Sequence, residues 1–128
     1  MNILDENLPD SQRQLLRSWR IPVSQIGHEV ARQGIKDEAI IPLLHRLKTA
    51  TFFTRDMGFY DLRLCHADYC LVCMALGQYE AASFIRRFLR HPAFNTKAKR
   101  MGRVVRLTHV SLQVWERFSA KEIQIEWP

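Results

Sequence analysis

Four carboxylates in this chain of 128 residues stand where they could do chemistry together. Ala50 to Phe53 is a short apolar and β-branched run that reads as a buried strand, and it delivers Asp56 and Asp61 into the loop that follows. Ile3-Leu4 is a second apolar stub, running directly into Asp5 and Glu6, and Glu38 stands in the first turn of a helix opened by Asp37. Ligands of open α/β sheets bind just past the carboxyl ends of the strands. Asp5, Glu38, Asp56 and Asp61 therefore form the candidate catalytic and metal-holding set. Mg²⁺ and Mn²⁺ are hard cations that take oxygen ligands, and one or two carboxylates with waters and a substrate phosphate satisfy their octahedral shell. An ion held there activates water and neutralises charge developing on a phosphodiester under in-line attack. Acids in strand-end loops also serve solubility and capping. Glu38 in a first helical turn contributes about 0.3–1 kcal/mol through the helix dipole with no further role.

The elements that must position these acids follow from pattern. Leu8, Leu15, Leu16 and Trp19 share one face of a first helix from about Pro9 to Arg20. Ile21 to Ile26 alternates like a strand with Pro22 near its start, and Gly27 to Gly34 reads as loop. His28 in that loop is either a proton shuttle or, more commonly for a loop histidine, merely solvated. Asp37 is the expected N-cap of a second helix carrying Ile40, Leu43, Leu44 and Leu47 on one stripe, and Pro42 must kink that helix or shift its start. Leu62 to Asp68 carries no clear pattern. Tyr69 to Leu76 is continuously apolar, as in a strand covered on both faces, and Gly77 ends it. Ala81, Ala82, Ile85, Phe88 and Leu89 make the stripe of a third helix, closed by Pro92. A basic loop from His91 to Gly102 precedes a strand from Arg103 to Val110, and Ser111 to Phe118 extends it or forms a short helix. Strands alternating with helices predict a parallel α/β sheet in a single domain.

The net charge is +6, and it is placed unevenly. No Asp or Glu occurs from Ala81 to Trp115, whereas Arg86, Arg87, Arg90, Lys97, Lys99, Arg100, Arg103 and Arg106 all fall there. One-sided charge of this kind suits a polyanion, since each neutralised phosphate releases counterions, although a solvated basic face is the plainer alternative. Arg55, Arg86, Arg87, Arg90, Lys97, Lys99 and Arg100 are the candidate RNA-binding residues, with Phe94 and Tyr60 as candidate stacking platforms for unpaired bases. Cys65, His66, Cys70 and Cys73 have the residue types of a zinc site. Cys70 and Cys73, however, lie in the most strand-like run, where an odd separation puts them on opposite faces, so buried reduced thiols are the better reading. Three cysteines, no secretory pattern and no apolar stretch near 20 residues predict a cytoplasmic protein that does not span a membrane.

Ile3-Leu4-Asp5-Glu6-Asn7-Leu8-Pro9, then Lys36-Asp37-Glu38-Ala39-Ile40, then Phe53-Thr54-Arg55-Asp56 with Phe59 to Asp61, resemble the PIN-like proteins that open with Asp-Glu-Asn-Leu-Pro. These are relatives of the PIN-domain toxin ribonucleases of bacterial toxin–antitoxin pairs, and the match covers roughly the first half of the chain. The resemblance implies a three-layer α/β/α sandwich, a Mg²⁺- or Mn²⁺-dependent endoribonuclease and a small antitoxin protein as partner. A homodimer is a separate partner expectation. By position the resemblance assigns Asp5, Glu38 and Asp56 to the metal site, with Asp61 matching the fourth acid less closely. The first strand is one apolar residue shorter than such proteins show, and the insert at Leu64 to Asp68 and the basic half lie outside the shared motifs. The alternative is a module that binds RNA without cutting it.

Overall fold

A segment that is apolar at every position needs cover on both faces, and the computed structural model, which describes residues 1–128, supplies it. Seven strands form one sheet: β1 (Asn2–Leu4), β2 (Ser24–Gln25), β3 (Ala50–Thr54), β4 (Tyr69–Met74), β5 (Arg103–Leu107), β6 (Ser111–Glu116) and β7 (Ile123–Glu126). Their order is β2-β1-β3-β4-β5-β6-β7, with β1 to β5 parallel and the last two strands antiparallel. The protein is thus α/β with a mostly parallel central sheet. All residues of β3 and β4 are buried.

The four helices are α1 (Asp10–Ser18), α2 (Ile40–Leu47), α3 (Ala81–Arg90) and the single turn α4 (Lys97–Arg100). Leu4, Phe53, Val72 and Val105 point to one face and pack with Leu16 of α1 and Ile85 and Phe88 of α3. Ile3, Phe52, Leu71 and Val104 point to the other and pack with Ile40, Leu43 and Leu44 of α2. The period of two along each strand thereby sorts the apolar residues into two cores. Buried Gln12 ties the two helices of the first face together, its Oε1 accepting the Ala82 amide at 2.8 Å.

Several expectations are corrected by this geometry. Asp37 caps no helix: a 3₁₀ turn at Asp37–Ala39 precedes α2, and neither start carries a side-chain cap. Beginning α2 at Ile40 places Pro42 in the first turn, where its missing N–H breaks no helical bond. Of the alternating Ile21–Ile26 run only Ser24–Gln25 is strand, at the sheet edge. Ser111–Glu116 folds back as an antiparallel strand, because the strand before it stops at Leu107 and Thr108 accepts and donates across the turn to Ser111. The strand at Ile123–Glu126 had no sequence expectation. No α-helix links β3 to β4; two 3₁₀ turns, Met57–Phe59 and Leu62–Leu64, make that crossing.

Topology now fixes where a ligand belongs. From β1 the chain crosses one face through α1 to reach β2 on one flank, then crosses the opposite face through α2 to reach β3 on the other flank. The strand order therefore reverses between β1 and β3, and the loops leaving those two strands part to opposite faces. Such a switch point opens a crevice at the carboxyl edge of the sheet. No helix is long and apolar enough to cross a membrane.

Cys70 faces the α1/α3 core and Cys73 the α2 core, which rules out a shared zinc ion. Burial pushes both thiols up to about 12, and it raises half-buried Cys65 as well. A thiol-reactive dye should label Cys65 alone in the native protein and all three cysteines after denaturation. Native labelling of Cys70 or Cys73 at a comparable rate would contradict the two-core packing.

Candidate functional site

At the switch point, Leu4 and Phe53 lie side by side in register, and the Asp5 amide donates to the Phe53 carbonyl at 2.9 Å. The sheet thus carries the two following residues to one place. Thr54 is the joint between them. Its hydroxyl donates to Asp5 Oδ2 at 2.6 Å and accepts the Asp56 amide at 3.0 Å. The Asp56 carboxylate takes the Gly58 amide on Oδ1 at 2.8 Å, which fixes the loop and leaves Oδ2 without a donor from the chain. Asp5, Asn7, Leu8, Arg55 and Asp56 line a cavity of about 200 Å³. Arg55 is anchored through Nε to the Leu76 carbonyl at 2.9 Å, so its two terminal nitrogens are unengaged.

The loop after β1 is held from below by buried Gln25, whose amide donates to the carbonyls of Asp5 at 3.0 Å and Leu8 at 2.9 Å. Glu6 turns away from the cavity to accept the Gly34 amide on both oxygens. This links the loop to the segment before α2. Asp5, Glu6, Asn7, Lys36, Asp37 and Glu38 border a second cavity of about 400 Å³, so Asp5 and Asn7 belong to both. Burial raises the Asp5 carboxyl above its ordinary 3.8, opposed by the Thr54 hydroxyl and the amides of Asn7 and Glu6, and the nearby charge of Asp37 adds to the rise.

Three of the four expected acids therefore reach this edge: Asp5 in both cavities, Asp56 in one, Glu38 in the other. Asp61 does not. Its carboxylate caps the 3₁₀ turn at Leu62–Leu64 by accepting the Arg63 amide at 2.9 Å and pairs with the Arg63 guanidinium, which holds it below the usual carboxylate range. Donors on the crevice are oxygens only, and two carboxylates with one free oxygen at Asp56 fit a hard cation completed by water and phosphate. Asp5, Glu38 and Asp56 nonetheless do not close into one shell. The single trio of side chains whose metal-ligating atoms all lie within 4.8 Å is His45, His66 and Asp68 elsewhere in the fold, a group that could hold a metal ion.

The basic residues lie mostly away from the crevice. Of the expected RNA-binding set only Arg55 lines it. Arg86 stacks on Trp19, with its guanidinium carbon 3.7 Å from the ring centroid, and Arg87 stacks on Trp127 and Phe84. Arg90 and Lys97 are exposed, and Lys99 bonds the Pro92 carbonyl and Asn95. Arg100 is no surface residue: it is buried, donating to Thr51 Oγ1 and the Phe94 carbonyl. Arg90 to Arg100 leads into the start of β5, so this group sits at the amino edge of the sheet. There a cavity of about 740 Å³ is lined by Arg17, Arg20 and Arg100 with Ile21 to Val23. Phe94 is fully buried and offers no stacking platform, whereas Tyr60 is partly exposed and gives its hydroxyl to Glu122 at 2.5 Å. His28 touches neither crevice cavity.

Thr54, Asn7 and Gln25 were missed from sequence. A polar residue closing an apolar strand and standing two before an acid was the one available sign of Thr54. No family model, no curated protein and no solved structure matches the chain.

A carboxyl whose folded proton affinity is raised stabilises the fold fully below its unfolded value, and that contribution is lost as pH climbs through the folded value. Asp5→Asn keeps an acceptor for Thr54 and removes the buried charge. The variant should unfold at higher urea than the parent at neutral pH, with the difference shrinking as pH falls towards 3.8. A parent more stable than the variant at neutral pH would mean that Asp5 is not strained by burial.

Proposed function

We propose that the protein is a PIN-like, metal-dependent endoribonuclease whose active site is the crevice between β1 and β3. The observation that carries this reading is the Thr54 hydroxyl binding Asp5 and the Asp56 amide at the reversal of strand order. Helices on both faces of a mostly parallel sheet accord with the three-layer α/β/α sandwich that the PIN-like resemblance implies.

In this reading Asp5 and Asp56 hold Mg²⁺ or Mn²⁺, and Glu38 orients the attacking water from the neighbouring cavity. The bound ion would supply Lewis acidity and lower the proton affinity of water. Arg55, fixed by Leu76, offers its free guanidinium nitrogens to a backbone phosphate beside the two acids. Lys36 borders the second cavity and offers another cation on the same side. Asp61 is left out of the site. A small antitoxin protein as partner and a toxin role come with the PIN-like resemblance, and an occupant of the crevice that buried Asp5 further would silence it. A second reading, an RNA-binding module without cleavage, is favoured by one observation: the exposed Arg90, Lys97 and Lys99 stand at the amino edge, across the sheet from the acids.

Cleavage of a mixed single-stranded RNA should require Mn²⁺ or Mg²⁺ and stop with EDTA. Asp56→Asn, which preserves the acceptor for Gly58, should slow cleavage by about 100-fold or more while RNA binding stays intact. Folded parent protein that binds RNA but never cuts it in either ion would move the account to the second reading.

A further inference from the structure

His66, one of two histidines singled out in the sequence, finds metal-binding company that its neighbours in the chain did not reveal. Asp68 lies two residues on, and His45 arrives from the last turn of α2. His45 Nδ1 is 3.0 Å from Asp68 Oδ2, and His66 Nδ1 is 3.6 Å from the same oxygen. The two imidazole centroids are 4.4 Å apart, edge to face. Ligand bonds of about 2.0–2.2 Å at tetrahedral angles place ligand atoms about 3.3–3.5 Å apart, so both observed separations bracket the value that one central ion requires.

We propose that His45, His66 and Asp68 bind a divalent ion of the zinc class. The donor set selects it: two imidazoles and one carboxylate suit zinc, cobalt or nickel, whereas magnesium and calcium take oxygen alone. His66 Nδ1 accepts the Asp68 amide at 3.1 Å, a hydrogen bond that an ion on that nitrogen would replace. His45 Nδ1 donates to Asp68 in the metal-free state and releases that proton when the ion takes its place. Side-chain exposures of 38%, 48% and 31% leave the group open to solvent, which provides water for the fourth position. Tyr69 stands behind both rings, stacked with His66 at 5.8 Å and edge-on to His45 at 5.3 Å, and limits their rotation.

The site lies where α2 ends and β4 begins, at the amino edge, on the face opposite α1 and α3. It is separate from the crevice holding Asp5 and Asp56 and does not depend on the nuclease reading. Its effect is mechanical: an ion bound there clips α2 to the segment before β4, a crossing that has no α-helix of its own to hold it.

The test is titration of the full chain with Co²⁺, followed by visible absorption, and with Zn²⁺, followed by calorimetry and thermal unfolding. One equivalent should bind with the absorption of a tetrahedral site and raise the unfolding temperature. His45→Ala, His66→Ala and Asp68→Asn should each weaken binding by about 100-fold or more, while Asp56→Asn should leave it unchanged. All four positions are at least partly exposed, and circular dichroism of each variant shows that it is folded. Absence of binding to the folded parent, or affinity unaltered in both histidine variants, would reduce the cluster to a hydrogen-bonded pair. Loss of binding in Asp56→Asn would assign the ion to the crevice instead.

Discussion

The geometry of the crevice depends on one hydrogen-bonded seam, the pairing of β1 with β3. These strands are distant in sequence, yet Asn2, Ile3 and Leu4 register on Thr51, Phe52 and Phe53. Everything beyond the seam follows from that register. A slip of β1 by one residue would turn Leu4 out of the α1/α3 core and Ile3 out of the α2 core. In the observed register the strand ends are flush, and the Thr54 hydroxyl reaches Asp5. The same tight fit that buries Phe52 and Phe53 also half-buries the Asp5 carboxylate, which raises its proton affinity. Asp5 is thus a partly buried carboxyl placed at the topological switch point.

Much of this was legible in sequence because two periodicities are strong. The continuous apolar run at Tyr69–Met74 and the stripe on Ala81, Ala82, Ile85 and Phe88 allow only a doubly covered strand and an amphipathic helix. The odd spacing of Cys70 and Cys73 correctly divides them between two faces. What failed to show was local chemistry that depends on tertiary position. Asp37 has the composition of a cap, but Pro42 dictates a later helical start, so Asp37 ends in a 3₁₀ turn instead. Asp61 looks equivalent to Asp56 on paper, yet the chain has already entered the second 3₁₀ turn, and Arg63 two residues on captures it. His45 and Asp68 are 23 residues apart with no shared motif, and only packing of α2 against the sheet unites them.

Charge is separated along the strand direction. Asp5, Glu38 and Asp56 gather at the carboxyl edge, with Arg55 and Lys36 as local cations, while Arg17, Arg20 and Arg100 line the cavity at the amino edge. β3 and β5, at five residues each, are about 17 Å long. Arg100 is the extreme case, buried with its charge balanced by no carboxylate and its proton affinity lowered by that burial. Two of the arginines on α3, Arg86 and Arg87, sit over the rings of Trp19 and Trp127 and contribute to packing as well as to potential.

The most direct test of the crevice as the cation-holding centre is Mn²⁺-induced broadening of backbone amide resonances in the folded chain. The account predicts that broadening at low Mn²⁺ centres on Asp5 to Asn7 and on Arg55 to Gly58, and that it disappears in Asp56→Asn. Broadening centred on His45, His66 and Asp68 alone, or spread evenly over the surface acids, would contradict it, because the two strand-end carboxylates would then hold no ion.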